Sequence, residues 1–502
     1  MSTPGSLIAN LLETAARFPE RCAIQDGEFQ LSYSRLLSQA KSVAAALRQR
    51  GIRPGDRAAI VLANSGEFVA AYYGTLMAGG TVVLLNQAAK SRDFEAWLRD
   101  SESSFVFTDA ANAEVARAVA AQAVAPQVLH AAGNGELAFG LPAAEDLVAA
   151  VVDENSPACI LYTSGTTGRP KGVVLSHRNL AANCASICEY LRLTENDSIV
   201  SVLPFYYSYG SSVLHTHIQV GGCVILEKNL VYPHAVVETL ARTRATGFAG
   251  VPPTFALLLS RVNLASFDLS ALRYLTQAGG GMPPALTQRL REALPHAALF
   301  VMYGQTEATA RLTWLPPERL TEKLGAVGIP VSGVHIEIRD ENGVPAATGA
   351  VGEIWAQGPN IMLGYWRNEA ATADVLRDGW LKTGDMGRLD EDGYLFIVGR
   401  RSDMIKAGAH RIHPQDIEDA ITEMSTVQEA AAVGVDDETL GQSVCVFVVP
   451  QEGAALTPMQ VQAHCRSRLA NYKIPKRVEI VATLPRTASG KVRRAELAER
   501  AK

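Results

Sequence analysis

The feature that most constrains the fold is an alternation of helix-like and strand-like segments in the first part of the chain. Between about Val43 and Leu85, "VAAALRQRG" is followed by apolar "RAAIVLA", then by "EFVAAYYGTLMAGG" with helical periodicity and by "TVVLL". A similar series runs through "DSIVSVLPF", "AVVETLARTRATGFAGV", "ALTQRLREALP" and "ALFVMYG". Such alternation is typical of βα units around a mostly parallel sheet. We therefore predict two α/β subdomains before Ala310.

The pattern changes at Gly325. Short β runs with turn residues, "VHIEIRDENG", "GEIWAQG" and "GYLFIVGR", predict a small β-rich unit. After Arg400, "QDIEDAITEM", "SVCVFVVP" and "RVEIVATLP" predict a compact α+β domain. The expected fold class is α/β, with a large N-terminal domain over residues 1–400 and a small C-terminal domain over residues 401–502.

Composition narrows the classes of function. The chain has 502 residues, 48% hydrophobic content and a net charge of -5, which gives no electrostatic reason to expect binding to nucleic acid. The N-terminal segment shows helical spacing rather than a signal peptide, and the longest apolar run is shorter than the roughly 20 residues of a membrane span. The seven cysteines form no CxxC pair. We expect a cytoplasmic enzyme without stable membrane insertion that acts on small molecules.

One segment has the composition of a phosphate-binding loop. Strand-like "ACILYT" leads into "SGTTGRPKG", where hydroxyls, closely approaching backbone N–H groups and Lys171 could surround phosphate oxygens. A kinase-type loop, GxxxxGK[ST], is disfavoured because only two residues separate Gly165 from Gly168 and Pro170 precedes the lysine. We predict a nucleoside triphosphate as the ligand.

Further segments extend this pattern along nearly the whole chain. These are "YTSGTTGRPKG" (162–172), "YGQTE" (303–307), "TGDMG" (383–387), "GRRSDMIKAG" (399–408) and "PRTASGK" (485–491). Together they resemble the ordered motifs of the acyl-adenylate-forming superfamily, which comprises acyl- and aryl-CoA synthetases, adenylation domains and luciferases. The resemblance implies that ATP activates a carboxylic acid as acyl-AMP with release of pyrophosphate, and that the acyl group then passes to a thiol.

The resemblance also implies roles for individual residues. The β- and γ-phosphates would be held by Thr163, Ser164, Gly165, Thr166, Thr167 and Lys171. Tyr303 would stack on adenine, Thr306 would contact the α-phosphate, and Glu307 would help to bind Mg²⁺, which prefers oxygen ligands. Asp385 would accept hydrogen bonds from both ribose hydroxyls. Arg400 would reach the ribose or a phosphate.

The small domain would supply residues to each half-reaction in turn. In relatives it rotates between the two steps, and a hinge segment absorbs the change. Lys491 would bridge the carboxylate and the α-phosphate during adenylation. After rotation, Lys406 would lie near the thioester-forming centre and Gly408 would line the pantetheine channel. Ser402 at the hinge and Ala409 in the channel depart from the usual residues of the family.

The acid would bind at "LPFYYSYGSSVLHTH" and "TQAGGGMPP", where substrate choice is expected to lie. Tyr207 would occupy an aromatic gate position, while Tyr209, Ala278 and Gly279 would line the acyl pocket. Acetate-specific relatives place Trp where this chain has Gly304, which predicts an acid larger than acetate. No Asp is available in "LPFYYSYG" to pair with an α-ammonium group, and an unpaired buried ammonium is costly. An aryl, short or medium acyl, or branched acid is therefore favoured.

The acceptor thiol is left open by the residues. A CoA ligase is the first hypothesis, and a free-standing adenylation enzyme that loads the phosphopantetheine of a carrier protein is the second. An ATPase or kinase with a variant phosphate loop is disfavoured, because Lys491 and Asp385 would then have no role in the reaction. A binding-only protein is disfavoured because all the catalytic side chains are present.

Overall fold

The protein is described by a computed structural model. It describes residues 5–132, 138–163, 170–228, 232–401, 403–407, 410–437, 440–487 and 491–501. Ser164, Gly165, Thr166, Thr167, Ser402, Gly408 and Ala409 lie outside the described residues, so their predicted roles are not examined by it.

The strands of the described residues are, in chain order, β1 (Cys22–Asp26), β2 (Phe29–Ser32), β3 (Arg57–Val61), β4 (Thr81–Leu84), β5 (Ser103–Asp109), β6 (Gln127–Ala131), β7 (Pro157–Thr163), β8 (Lys171–Ser176), β9 (Ser198–Ser201), β10 (Cys223–Leu226), β11 (Gly247–Gly250), β12 (Tyr274–Gln277), β13 (Ala298–Tyr303), β14 (Thr313–Leu315), β15 (Ile329–Pro330), β16 (His335–Arg339), β17 (Gly352–Gln357), β18 (Gly364–Tyr365), β19 (Leu376–Arg377), β20 (Trp380–Leu389), β21 (Leu395–Arg400), β22 (Ile405–Ala407), β23 (His410–Ile412), β24 (Val427–Asp437), β25 (Gly441–Pro450) and β26 (Arg477–Ile480).

The α-helices of the described residues are α1 (Leu7–Arg17), α2 (Tyr33–Gln49), α3 (Gly66–Ala78), α4 (Ser91–Ser101), α5 (Ala113–Ala120), α6 (His177–Leu191), α7 (Ser208–Val220), α8 (Pro233–Thr243), α9 (Pro252–Arg261), α10 (Pro284–Ala293), α11 (Glu369–Val375), α12 (Pro414–Thr422), α13 (Pro458–Arg468) and α14 (Arg494–Arg500). Within the described ranges, no helix combines the length and the hydropathy that a bilayer crossing requires.

Two large sheets form the first part of the molecule. One has the strand order β15-β14-β13-β12-β11-β9-β10-β1-β2, and the other has the order β18-β8-β7-β4-β3-β5-β6. The inner strands of both are parallel, while β2, β8, β14, β15 and β18 pair antiparallel at the edges. The predicted pair of α/β subdomains is confirmed. Ligands of open α/β sheets bind beyond the carboxyl ends of the parallel strands, which is where β7, β12 and β13 place predicted site residues.

Two smaller sheets follow. The third has the order β16-β17-β20-β19, with β21 paired to β20, and the fourth has the order β23-β22-β25-β24, with β26 paired to β25. They correspond to the predicted β-rich unit and the predicted α+β unit. The third sheet ends with β21 at Arg400 and the fourth begins with β22 at Ile405, so the predicted domain boundary falls in the segment that joins them.

Helix α3 is buried on every face, because all residues from Glu67 to Ala78 are shielded from solvent. A helix that is apolar all round is expected to lie inside a protein rather than on its surface. Its apolar side chains share one large core with residues of both main sheets. Helix α3 therefore belongs to a core that the two main sheets share.

Local capping fixes where the site helices begin. The Ser176 hydroxyl accepts a hydrogen bond from the Asn179 backbone N–H at 3.1 Å, and the Asn179 side chain accepts one from the Ser176 N–H at 2.8 Å. This reciprocal capping box satisfies donors that would otherwise be unpaired at the start of α6. Helix α6 therefore begins directly after β8, at the end of that strand opposite to the phosphate loop.

Three buried histidines predict how stability depends on pH. Burial lowers the pKa of His215 to about 3, and it lowers the pKa values of His217 and His177 to about 4, from 6.5. Below pH 6.5 the unfolded chain binds protons that the folded chain does not, so this contribution is complete above pH 6.5 and is lost as pH falls. Each histidine should cost roughly 2 kcal/mol of the unfolding free energy at pH 5. Urea unfolding at pH 7.5 and pH 5 measures the loss.

A variant His217→Phe serves as the comparison. It lacks one of the three titrating groups, so its unfolding free energy should fall less between the two pH values than that of the unchanged protein. A urea midpoint that stays the same from pH 7.5 to pH 5 in the unchanged protein would contradict the interpretation.

Candidate active site

The stems of the phosphate loop are paired strands. Thr163 at the end of β7 lies opposite Lys171 at the start of β8, and the Thr163 hydroxyl donates to the Lys171 carbonyl at 3.4 Å. The Lys171 ammonium lies 4.8 Å from the centroid of the Tyr365 ring, within the range of a cation–π contact. The structure thus places both stem residues at the carboxyl end of the second sheet.

Tyr365 connects this lysine to the predicted metal ligand. Its hydroxyl donates a hydrogen bond to Oε1 of Glu307 at 2.9 Å. Burial raises the pKa of Tyr365, and the Glu307 charge raises it further, so the phenol keeps its proton and remains a donor. The sequence analysis did not identify Tyr365. Its place in "LGYW", outside every recognised motif, gave no signal of a role at the site.

Asp385 lies at the centre of a second cluster. The Tyr303 hydroxyl donates to its Oδ2 at 2.7 Å, and Nε of Arg400 lies 3.4 Å from its Oδ1. Tyr303 and Asp385 are only 8% and 7% exposed, which strengthens both interactions. Asp385 and Arg400 are direct partners across β20 and β21, which explains why residues of two consecutive motifs meet.

The turn that carries Thr306 and Glu307 is tightly constrained. A Cβ added at Gly304 would lie 2.0 Å from the Ala310 carbonyl oxygen, so glycine is required there by the approach of two backbone segments. Thr309 has a positive φ of 64°, and its hydroxyl donates to the Asn360 carbonyl at 2.6 Å. The need for glycine at position 304 is therefore structural as well, which the sequence analysis did not foresee. Its use as a determinant of pocket length stays a prediction.

Asn360 holds this turn from the other side. Its side-chain amide donates to the carbonyls of Ala308 and Arg311, at 3.2 Å and 2.8 Å. Asn179 donates in turn to the carbonyls of Pro359 and Ile361, at 2.7 Å and 2.8 Å. Neither asparagine was predicted as functional, because a single Asn in a loop carries no motif. They position the backbone of the residues expected to meet the α-phosphate.

Lys491 reaches the cleft from near the other end of the chain. Lys491 is exposed to solvent, as expected for a cation in an open cleft. Loss of water lowers the pKa of the ammonium, as does Arg400, while Asp385 and Glu307 raise it. A backbone bond from Thr487 N–H to the Lys491 carbonyl at 2.7 Å shapes the loop that presents it. The charges of Arg400, Asp385 and Glu307 therefore lie near enough to Lys491 to affect the pKa of its ammonium.

Lys406 lies on β22 of the fourth sheet, where it is exposed to solvent. Its backbone N–H donates to the Gln442 side chain at 2.8 Å. Its place near the thioester-forming centre after rotation of the small domain stays a prediction.

The predicted acyl-binding residues adjoin the same strand ends. Tyr207 precedes α7 and is half-buried, with its ring centroid 4.6 Å from that of Tyr206. Tyr209 is buried, and its hydroxyl donates to the Thr276 carbonyl at 2.8 Å. The Arg311 guanidinium lies 4.3 Å from the Tyr209 ring centroid. Tyr209 is thus fixed between α7 and β12.

Ala278 and Gly279 continue directly from β12. Ala278 is buried, and Gly279 has a positive φ of 83° that favours glycine. A Cβ added at Gly281 would lie 3.7 Å from the Gln415 side chain, so this loop also approaches the start of α12. The predicted acyl loop therefore lies beside the predicted C-terminal domain.

Comparison with known proteins places this geometry in a family. Residues 11–366 match the model of the AMP-binding enzyme family, and residues 416–491 match the model of the AMP-binding enzyme C-terminal domain. The chain belongs to the AMP-binding enzyme family. The predicted superfamily and fold class are thereby confirmed.

Individual relatives resemble the chain over nearly its full length. It is 34% identical to a feruloyl-CoA synthase of Amycolatopsis, covering 96% of each chain. It is 32% identical to a long-chain-fatty-acid–CoA ligase of Bacillus subtilis, covering 97% of this chain and 93% of that one. The solved o-succinylbenzoate CoA synthetase of Bacillus subtilis, bound to an acyl-adenylate, is 31% identical with a TM-score of 0.87, covering 97% of each chain. The same synthetase has been solved with ATP and magnesium, with a TM-score of 0.86, 31% identity and coverage of 97% of this chain and 98% of that one.

These findings confirm the predicted enzyme class. The chain is an AMP-forming acid–CoA ligase that uses ATP with magnesium, as its family membership and the named relatives indicate. The assignment of roles to single residues stays a prediction, as does the domain boundary at Arg400.

The residues at the turn fit a magnesium ion. Glu307 supplies a hard oxygen ligand, and only its Oε1 makes a described hydrogen bond, which leaves Oε2 for a cation. The described ranges contain no group of three or more His, Cys, Asp or Glu that would enclose a metal. Magnesium commonly binds through one or two carboxylates together with substrate phosphates and water, so a single carboxylate beside a nucleotide site is suitable.

Removing the Tyr365 hydroxyl tests its link to Glu307. In Tyr365→Phe the ring can still contact Lys171, but the half-buried Glu307 carboxylate loses a hydrogen bond, which should lower kcat/KM for pyrophosphate release about 10- to 100-fold. The exposed Tyr232→Phe is the matched control and should retain full activity. Equal activities of the two variants would show that the Tyr365 hydroxyl has no part in the site.

Proposed function

We propose that Lys491, Glu307, Thr306 and Asp385 carry out acyl-adenylate formation in this acid–CoA ligase. The observation that carries the proposal is that Asp385 and Glu307 lie near enough to Lys491 for their charges to raise the pKa of its ammonium. A cation from the small domain and carboxylates from the large domain then surround the position where ATP and the acid must meet.

The first step joins two anions. A carboxylate oxygen of the acid attacks the α-phosphorus of ATP, the bond to the β-phosphate oxygen breaks, and pyrophosphate leaves. Lys491 offsets the negative charge as the reactants approach, and Thr306 contacts the α-phosphate oxygens. Magnesium, when bound at Glu307, neutralises phosphate charge. Asp385 orients the ribose through hydrogen bonds to its hydroxyls, and Tyr303 and Arg400 hold that carboxylate in place.

The second step needs a different arrangement. The sulfur of the thiol attacks the acyl carbonyl carbon, the bond to the phosphate oxygen breaks, AMP leaves, and the thiol proton passes to solvent. Lys491 would obstruct this approach, so we propose rotation of the small domain about the segment after Arg400. One contact across this boundary is the exposed Arg261–Glu452 ion pair at 3.4 Å. Exposed pairs of this kind contribute little free energy, so they oppose rotation weakly.

The acid is proposed to be a carboxylic acid larger than acetate that lacks an α-ammonium group. The half-buried Tyr207 and Tyr206 rings stand at the start of α7, and no acidic side chain is present in the segment 203–210 to pair with an ammonium. The CoA-ligase names of the relatives support CoA as the acceptor over a carrier protein. A supply of ATP and reduced thiols favours a cytoplasmic location.

The half-reactions can be separated by substitution. Lys491→Ala should lower acyl-AMP formation from acid and ATP about 100-fold or more, since it removes charge stabilisation of the transition state. It should convert supplied acyl-AMP and CoA to thioester at close to the normal rate. Pyrophosphate release measures the first reaction and CoA consumption measures the second.

Gly408→Leu should show the opposite pattern, because a side chain in the pantetheine channel would block the thiol but not ATP. Its adenylation should be normal and its thioester formation slow. If both variants lose both half-reactions equally, the proposed division of labour between them is wrong. A panel of acids scored by pyrophosphate release, followed by CoA or carrier protein as acceptor, tests the reaction itself.

A further inference from the structure

A small cavity lies directly behind the turn that carries Thr306. It has a volume of about 10 Å³, the space of about one water molecule. One of its lining residues, Ser208, has its hydroxyl oxygen 3.4 Å from that of Thr306. The described lining residues are Leu161, Leu175, Leu180, Asn183, Cys184, Ser208, Ser211, Ser212, His215 and Thr309. The cavity therefore lies between α6, α7 and the predicted α-phosphate contact.

Two buried polar atoms in this lining have no hydrogen-bond partner among the described residues. They are Oδ1 of Asn183 and Nε2 of His215, and each of these residues is only 1% exposed. A buried polar atom without a partner costs free energy, and native structures contain few of them. A polar group in this cavity would supply the missing hydrogen-bond partners of both atoms.

The hydrogen-bonding character of both atoms is fixed by their neighbours. The Asn183 amide nitrogen donates to the Arg311 carbonyl at 3.2 Å, so the unpartnered oxygen is an acceptor. The Tyr73 hydroxyl lies 3.0 Å from Nδ1 of His215, and this is the one hydrogen bond described for the His215 ring. Burial raises the pKa of Tyr73 well above its usual range and lowers the pKa of His215 to about 3. The buried phenol therefore donates to Nδ1 of a neutral ring, and Nε2 carries the proton.

We propose that this cavity is the closed end of the acyl pocket and that His215 and Asn183 bind a hydroxyl group on the acid, remote from its carboxylate. The Nε2–H of His215 donates to the hydroxyl oxygen, and the hydroxyl proton is donated to Oδ1 of Asn183. The inference rests on the proposed function, since it identifies a feature of the acid that the same site would activate.

Other groups fit the pair less well. A ketone or ether can only accept, so Asn183 would stay unpartnered. A second carboxylate or an ammonium would be charged, and no described residue that lines the cavity is ionised, because His215 is neutral. The volume admits a group about as large as a water molecule. A hydroxyl meets the size, the neutrality and the donor–acceptor pattern together.

The test uses acid pairs that differ by a terminal methyl and a terminal hydroxyl, which are nearly equal in size. Suitable pairs are 4-methylbenzoate with 4-hydroxybenzoate and hexanoate with 5-hydroxypentanoate. In at least one pair, kcat/KM for pyrophosphate release should be about 10-fold or more higher for the hydroxy acid, since the site's buried polar groups reject the analogue. If the enzyme activates these acids but kcat/KM is the same for the methyl and the hydroxy acid of every pair, the inference is wrong, although the ligase function stands. Absence of pyrophosphate release with every acid would instead refute the proposed function.

Substitutions assign the preference to the two residues. His215→Phe and Asn183→Leu should each reduce the hydroxyl preference about 10-fold, with activity on the methyl acid retained. His217→Phe is the matched control, because it is a buried histidine of the same helix that does not line the cavity, and it should leave the preference unchanged. Thermal unfolding shows whether His215→Phe and Asn183→Leu are folded. One folded variant of the two is enough for the test. A preference that both folded variants retain would mean that the cavity holds only an ordered water, and the inference would be wrong.

Discussion

The hydrogen-bonded carboxylate of Asp385 is the interaction on which the site depends. Tyr303 comes to it from the first large sheet, and Arg400 comes from the neighbouring strand of the third sheet. The Asp385 charge also raises the pKa of Lys491, which lies in the last part of the chain. A buried carboxylate is stable only with such partners. The charge that would orient the nucleotide therefore also holds separate layers of the molecule in a fixed relation.

A second constraint is the backbone of the turn behind Thr306. Glycine at position 304, the positive φ of Thr309 and the amide bonds of Asn360 all concern this one short segment. Strained backbone persists only where its surroundings determine it fully. Here the surroundings include the start of α6, through Asn179, so the helix that follows the phosphate loop also supports the α-phosphate contact.

The cleft divides into two electrostatic environments. Toward the nucleotide it presents Lys171, Glu307, Asp385, Arg400 and Lys491, while the cavity behind Thr306 is lined in the described residues by neutral groups. This division suits a reaction in which two anions must be joined while the rest of the acid stays in a region of low polarity. Charged side chains help to join the two anions. Charges in the cavity would instead add a desolvation cost to binding the rest of the acid.

The sequence by itself determined the family, the two α/β subdomains and the residue types of the nucleotide site, because motif spacing and hydrophobic periodicity are local properties of the chain. It could not identify Tyr365, Asn360, Asn183 or His215, because isolated residues of these types carry no pattern. Only the tertiary structure decided that Tyr365 meets Glu307, that Gly304 is needed for a close backbone approach, and that two unpartnered polar atoms face one cavity. These facts depend on which residues distant in sequence are brought together, and the physical reason is that burial and hydrogen bonding are defined only after the layers have packed.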